Sequence, residues 1–397
     1  SLLKNSIQDY DWGSKTAIPE ILGQAGPAEK PQAELWMGAH PKAPSQVYCE
    51  GLWRSLFEVI AENPHEVLGR EAAHKFSNKL PFLLKVIAAA KPLSIQAHPN
   101  QSQAKEGFIR ENEMGIPLEA ANRNYRDDNH KPEIICALTP FWALNGFRQV
   151  REILRLLGEI QDPDLVGALS FLRDYSARQG LKKFFNQLMT MEKAKQAKIV
   201  KETVAFAEKR TGQEPVWTWV AKLNEEYPRD VGVLSPAFLN LVKLEPRQAM
   251  YLPAGELHGY LEGTGIELMA NSDNVLRGGL TAKHIDVKEL LSILNFTEAK
   301  LTILQPQRVA SGEAFYPRGA AEFVLSIIEV NERSPFLGAL KRSVEIMICT
   351  KGEARISELR DGETTALTRG TSIVVPAAVE QYRIEGEATL YKAAVPL

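Results

Sequence analysis

Apolar residues recur along this chain with two periods, and the change between them divides it. Over residues 31–150 the apolar runs are short, β-branched and bounded by Gly and Pro. Pro81-Phe82-Leu83-Leu84-Lys85-Val86-Ile87 and Glu133-Ile134-Ile135-Cys136-Ala137-Leu138 are the clearest, and both predict strands. Leu52–Ala61 predicts a helix among them, and the polar stretch 100–124 predicts a long, partly helical insertion. From Val150 the spacing becomes helical. Ile153, Leu154, Leu156, Leu157 and Ile160 repeat at that period. So do Phe184, Phe185, Leu188 and Met189, then Ile199, Val200, Val204 and Phe206, then Trp217, Val220, Ala221 and Leu223. Their aromatic stripes are expected to pack a core, so 151–236 reads as a helical domain set between β segments.

Strand character returns at Phe238–Lys243 and continues through Glu267, and Val287–Phe296 predicts another helix. The tail is almost all strand: Phe323–Val330, Ser343–Thr350, Ala354–Glu358, Ser372–Val375 and Ala388–Ala393, with turns such as Arg360-Asp361-Gly362 between them. Many short strands with turns predict a sandwich, barrel or jelly roll. The expected architecture is mainly β with an α-helical insertion.

Candidate chemistry lies in three strand-like stretches. Ser94, Gln96 and His98 are two apart, so in a strand they share a face. Glu133 opens a second strand. His258 ends the turn Pro253-Ala254-Gly255-Glu256-Leu257 and begins a third. Two imidazoles, a carboxylate and an amide (Gln96, His98, Glu133, His258) can bind a zinc-like ion and leave room for water or a substrate oxygen. Lys131 shares the parity of Glu133 and is expected to face the pocket; His130 is expected to point away. Lys85, His130 and Lys131 are candidates for proton transfer if burial moves their pKa values. Downstream, Tyr260 keeps the parity of His258, and Glu267 lies further along. Arg277 follows a polar loop containing Asp273 and stands beside Gly278 and Gly279. Arg277 and Lys283 suit a phosphate, with Ser94 adding a hydroxyl; Lys283 also reads as a surface charge. His40, His65, His74 and His284 read as structural or surface residues. Met250–His258 aligns with Ile373–Gln381, Gln381 standing where His258 stands, which suggests two related β-domains of which only the first keeps a metal.

Composition narrows the setting. A chain of 397 residues exceeds one ordinary core, so two or three domains are expected. Hydrophobic residues at 44% and charged residues at 24% exclude a disordered chain. A net charge of −2 offers no broad surface to a polyanion, so nucleic acid is not an expected partner. Cys49, Cys136 and Cys349 are widely spaced with no CxxC, which fits a reducing cytoplasm. Ser1–Trp12 has no apolar signal core, and Lys85 and Lys91 break the most apolar stretch, so no membrane association is expected.

Leu93-Ser94-Ile95-Gln96-Ala97-His98-Pro99-Asn100, Asn129-His130-Lys131-Pro132-Glu133 and Ser272-Asp273-Asn274-Val275-Leu276-Arg277-Gly278-Gly279-Leu280-Thr281 resemble type I phosphomannose isomerases, as do Tyr10-Asp11-Trp12-Gly13 and Glu34-Leu35-Trp36-Met37-Gly38. The resemblance runs to about Val287; beyond it the tail is similar only in type. It implies two cupin-type jelly rolls plus the helical domain: a catalytic cupin from 1–150 and 237–305, the insertion at 151–236, and a metal-free cupin at 306–397. It implies an enzyme with one zinc ion per chain, interconverting mannose 6-phosphate and fructose 6-phosphate; separately, a monomer is expected, with an oligomer as the alternative. The family's zinc ligands fall on Gln96, His98, Glu133 and His258, its catalytic arginine on Arg277, and its phosphate contacts on Ser94, Arg277 and Lys283. Its proton-transfer group falls on Lys131 and Glu267. His130 or Asp273 is expected to assist ring opening, and Lys85 and Tyr260 to contact substrate. Two other readings are a different metal-dependent cupin enzyme, such as an iron dioxygenase, and a non-catalytic sugar-binding cupin.

Overall fold

The computed structural model describes residues 1–49, 51–309, 312–360 and 362–397. Its backbone is mainly β, with a ten-stranded and an eight-stranded sheet, a small three-stranded sheet and an α-helical insertion. The strand His258–Ala270 is the spine of the larger sheet. Its first residues pair with Phe141–Phe147 and Ile95–Ala97, and from Gly263 it pairs with Phe82–Ala89 and Glu133–Ala137. One strand therefore serves both halves of the sheet.

Gly263 sits at the changeover with φ +130°, and a Cβ there would lie 2.7 Å from the Pro140 carbonyl oxygen and 2.8 Å from Phe141 Cα. Only glycine fits both the conformation and the space. Gly263→Ala is expected to cost on the order of 1–3 kcal/mol and to lower the Tm. An unchanged thermal unfolding curve would contradict this reading of the bend.

Alternation decides what each half turns inward. Ile95 and Ala97 point to the helical side, into one apolar cluster with Phe184, Phe185, Trp217 and Leu223, so Gln96 between them faces the other way. In the second half, Val86, Ile134, Cys136, Ile266 and Leu268 pack against Leu325, Ile327, Ile346 and Tyr391 of the C-terminal sheet. The residues between them, Lys85, Glu133 and Glu267, share the opposite face. Helices back one half of the sheet and the C-terminal strands back the other, and polar residues collect between the halves.

Five helices of eight residues or more, rather than the four expected, span the insertion: Val150–Leu157, Pro163–Asp174, Ala177–Thr190, Lys193–Glu208 and Pro215–Glu226. The additional one, Pro163–Asp174, is capped by Asp162, whose carboxylate accepts from the amides of Asp164 and Leu165. The helix expected over Leu52–Ala61 begins only at Leu56, because Leu52–Ser55 pairs as a strand with Gln46–Cys49. The strand expected at Ser343–Thr350 begins only at Glu345 and runs on through Ala354–Glu358 as one strand, Glu345–Glu358, in which a register shift between Cys349 and Lys351 absorbs the break in pattern. The turn expected at Arg360-Asp361-Gly362 includes Asp361, which lies outside the described residues. Both members of the short repeat lead into 13-residue strands, His258–Ala270 and Tyr382–Ala394. No helix among the described residues is long and apolar enough to cross a membrane.

Candidate metal centre and active site

Register builds the centre. His258 lies directly opposite Gln96 on one side and Asn145 on the other, and Arg277 lies opposite Gln96 on the next strand. Directly opposed residues share a face, so Asn145, His258, Gln96 and Arg277 form one row. His98 stands two residues beyond Gln96, just past the end of its strand. Glu133 arrives from the other half of the sheet, opposite Met269.

His98 Nε2 and His258 Nε2 lie 3.4 and 3.3 Å from the same atom, Glu133 Oε2. All three residues are at most 1% exposed, and none of these three atoms has a hydrogen-bond partner. Their remaining polar atoms are all engaged. His98 Nδ1 meets the Asn274 carbonyl at 2.7 Å and His258 Nδ1 the Glu256 carbonyl at 2.9 Å. A carbonyl only accepts, so each Nδ1 carries the proton and each Nε2 presents a lone pair inward. Glu133 Oε1 is held by Lys131 Nζ at 2.9 Å. Burial pushes the His98 imidazole down to about 4, which keeps it neutral. Burial opposes the charge on Glu133, but the opposing groups, Lys131 foremost, hold that carboxyl well below its usual range. Three buried, unpartnered donor atoms within 4.8 Å of one another would be costly in a closed protein. A divalent cation accounts for all three at once. The donor set of two neutral imidazoles and one carboxylate suits zinc, and Gln96 shares the row as a half-buried fourth candidate.

Behind this cluster lies a charged network. Lys85 Nζ lies 3.1 Å from Glu267 Oε2 and 3.5 Å from Glu34 Oε2, and Tyr260 donates to Glu267 Oε1 at 2.7 Å. Trp36 donates its indole N–H to Glu34 at 2.5 Å and carries the Lys85 ammonium over its ring. Burial works against the charge on Lys85, but Glu34 and Glu267 outweigh it and raise its pKa, so the ammonium is permanent. Burial also raises the pKa of Glu267, with Lys85 opposing. Tyr260 is raised by burial and by Glu267, and stays a hydroxyl donor.

The other candidates are more dispersed. Asp273 meets Lys42 at 2.9 Å and His40 at 3.6 Å; burial opposes its charge, but those two outweigh it and pull its pKa below the usual carboxylate range. His130 turns away from the three ligands, its Nε2 at 2.7 Å from Glu322 Oε1. Ser94 is half-buried, and Lys283 is exposed. His40, read from sequence as structural or surface, is a buried neighbour of Asp273 that packs edge-on against Trp36 at 4.9 Å. Glu34 and Trp36 were visible only as part of a motif; their i, i+2 spacing in an apolar strand was the available signal.

Comparison with known proteins decides the family. A family model described as "Phosphomannose isomerase type I, catalytic domain" matches residues 1–150, and its "helical insertion domain" counterpart matches 156–239. The mannose-6-phosphate isomerase of Escherichia coli is 40% identical over 98% of this chain and 97% of its own length. The chain belongs to the type I phosphomannose isomerase family. The human mannose-6-phosphate isomerase is 36% identical over 74% of this chain and 73% of its own. Among solved structures, an alanine variant of the phosphomannose isomerase from Salmonella typhimurium matches with a TM-score of 0.92 at 38% identity, covering 100% of this chain and 99% of that one. A zinc-bound mannose 6-phosphate isomerase matches at 0.91, again at 38% identity and the same coverage. The likeness spans the C-terminal strands too, where the sequence resemblance had been one of type only.

Proposed function

We infer that this chain is a zinc-dependent aldose–ketose isomerase interconverting D-mannose 6-phosphate and D-fructose 6-phosphate. The carrying observation is the trio of buried, unpartnered donor atoms of His98, Glu133 and His258 in a chain whose full length follows the phosphomannose isomerases. One zinc ion per chain would be held by these three residues with Gln96. A bound zinc ion supplies redox-inert Lewis acidity to the sugar's oxygens.

The chain's own residues do the rest. The reaction moves a proton from carbon 2 to carbon 1, and one from the carbon 2 hydroxyl to the carbon 1 carbonyl oxygen, through an enediol or enediolate. Glu267, with its raised pKa, and Lys131, beside Glu133, are proposed to handle the protons. Lys85, locked as a cation between two carboxylates, serves as a hydrogen-bond donor and not as a base, and Tyr260 keeps Glu267 oriented. Arg277, next to Gln96 in the row, steadies the phosphate and the charge developing on the enediolate, with Ser94 and Lys283 further out. The pairing of His130 with Glu322 favours Asp273, kept ionised by Lys42 and His40, for accepting a sugar hydroxyl hydrogen as the ring opens. Buried, unpaired Cys136 and Cys349 support a reducing, cytoplasmic setting, and we propose a monomer.

A coupled assay for fructose 6-phosphate tests the reading. Turnover of mannose 6-phosphate is expected, lost with a chelator and restored by zinc. Sugar-phosphate binding without conversion, or turnover indifferent to the chelator, would contradict it.

A further inference from the structure

We propose that Arg126 is a third phosphate-binding cation of the active site, held in place by Asn274 between the metal ligand His98 and the Arg277 strand. The inference rests on the isomerase reading for the identity of the substrate.

The placement comes from Asn274. This residue is fully buried, and every polar atom of its side chain is engaged. Its Oδ1 accepts the backbone N–H of Arg126 at 2.7 Å and that of Asp127 at 3.2 Å. Its Nδ2 donates to the carbonyls of Asp127 and Asn129 at 2.8 and 2.9 Å. Its own carbonyl receives His98 Nδ1. One residue thus ties the loop that carries Arg126 to a metal ligand, three positions before Arg277. The loop is fixed from its other end as well. Glu111 accepts the amides of Asn124 and Tyr125, and the Tyr125 hydroxyl donates to Glu289 at 2.6 Å. The backbone that carries Arg126 is thus held by hydrogen bonds on both sides, so little of its ordering cost is left for binding.

The charge pattern says what Arg126 is for. Among the described residues, the Lys and Arg residues that are buried sit on carboxylates: Lys85 on Glu34 and Glu267, Lys131 on Glu133, Arg123 on Glu111, Lys392 on Glu313 and Glu345. Among the described residues, the side chains of Arg126, Arg277 and Lys283 make no ion pair or hydrogen bond to any carboxylate. They act instead on one another: after burial, Arg126 lowers the pKa of Arg277, and Arg277 and Arg126 together lower that of Lys283. The nearest carboxylate in sequence, Asp127, is already occupied by Ser272, Asn129 and the Asp273 amide. Three cations that disfavour one another's charge and lack a counter-charge, two of them partly buried, are unfavourable alone and favourable around a dianion. Guanidinium groups match a phosphate monoester in geometry as well as in charge.

The test uses the zinc-loaded protein with Arg126→Ala and Arg126→Lys. The backbone N–H that Asn274 holds survives both replacements. Arg126→Ala is expected to raise KM for mannose 6-phosphate about tenfold, roughly 1.4 kcal/mol, with kcat changed far less. Calorimetric affinity for inorganic phosphate should fall by a similar factor, residual activity on unphosphorylated mannose should not change, and Arg126→Lys should recover part of the loss. Unchanged KM and unchanged phosphate affinity would overturn the proposal, as would equal losses on the phosphorylated and unphosphorylated sugars. If the parent protein fails to isomerise mannose 6-phosphate while Arg126→Ala still weakens phosphate binding, the isomerase reading falls and the role of Arg126 as an anion ligand stands.

Discussion

Glu133→Ala is expected to abolish both metal binding and isomerase activity, lowering kcat/KM by at least about 10³-fold, beyond the 10–100-fold typical of losing a residue behind the ligands. Glu133 Oε2 is the single atom that both ligand imidazoles approach, at 3.4 and 3.3 Å. Without it, two neutral nitrogens face one another across an empty space with no negative charge between them. The same replacement strands Lys131, only 8% exposed, without its partner, and an unpaired buried charge costs on the order of 3–5 kcal/mol. Lower thermal stability should therefore accompany the lost activity. Glu133→Gln separates the two effects: it keeps the shape and a hydrogen-bonding oxygen for Lys131 while removing the anionic ligand. Metal analysis alongside steady-state rates checks this. A Glu133→Gln protein that keeps a full equivalent of zinc and normal turnover would contradict the assignment.

Arg277→Ala should behave differently. Arg277 lies opposite Gln96 in the row that contains His258, but none of the metal-facing atoms depends on it for a hydrogen bond. Zinc content should remain at one per chain while turnover falls by about 10²–10³-fold, the scale on which preorganised charge at a reacting centre acts. Arg277→Lys should recover only part of this, because an ammonium offers a point charge where the guanidinium offers a fork. The contrast with Arg126 is informative: losing Arg126 should act mainly on KM, and losing Arg277 mainly on kcat. Near-normal kcat in Arg277→Ala would remove Arg277 from the chemistry.

What could be read from sequence here depended on distance along the chain. Parity is a local property, and it separated Lys131, which faces Glu133, from His130, which faces Glu322. It also turned Gln96 away from the apolar side taken by Ile95 and Ala97, although Ser94 and His98 lie just outside that three-residue strand. Helical stripes are readable in the same way, and Leu165, Ala168, Leu169 and Leu172 behind an Asp-Pro start carry the signal of Pro163–Asp174, a helix beyond those expected. Partners set by strand register were not readable. Asp273 meets His40 and Lys42, more than 200 positions away, and Lys85 sits between Glu34 and Glu267 because three strands happen to stand in that order. Arg126 and the role of Asn274 were hidden for a similar reason, since a loop of polar residues has no periodicity. The grouping of His98, Glu133 and His258 was the most legible part because these residues sit in distinctive short motifs; the support behind it was legible only in three dimensions.

If the site built from His98, Glu133 and His258 holds the ion on which isomerisation depends, activity must follow the zinc bound there. Adding zinc stepwise to chelator-stripped protein, while following conversion of mannose 6-phosphate to fructose 6-phosphate, measures this directly. The rate should start near zero, rise linearly and level off at one zinc per chain, with no rise in Glu133→Ala. Full turnover by the stripped protein, or a plateau unrelated to one equivalent, would contradict the account.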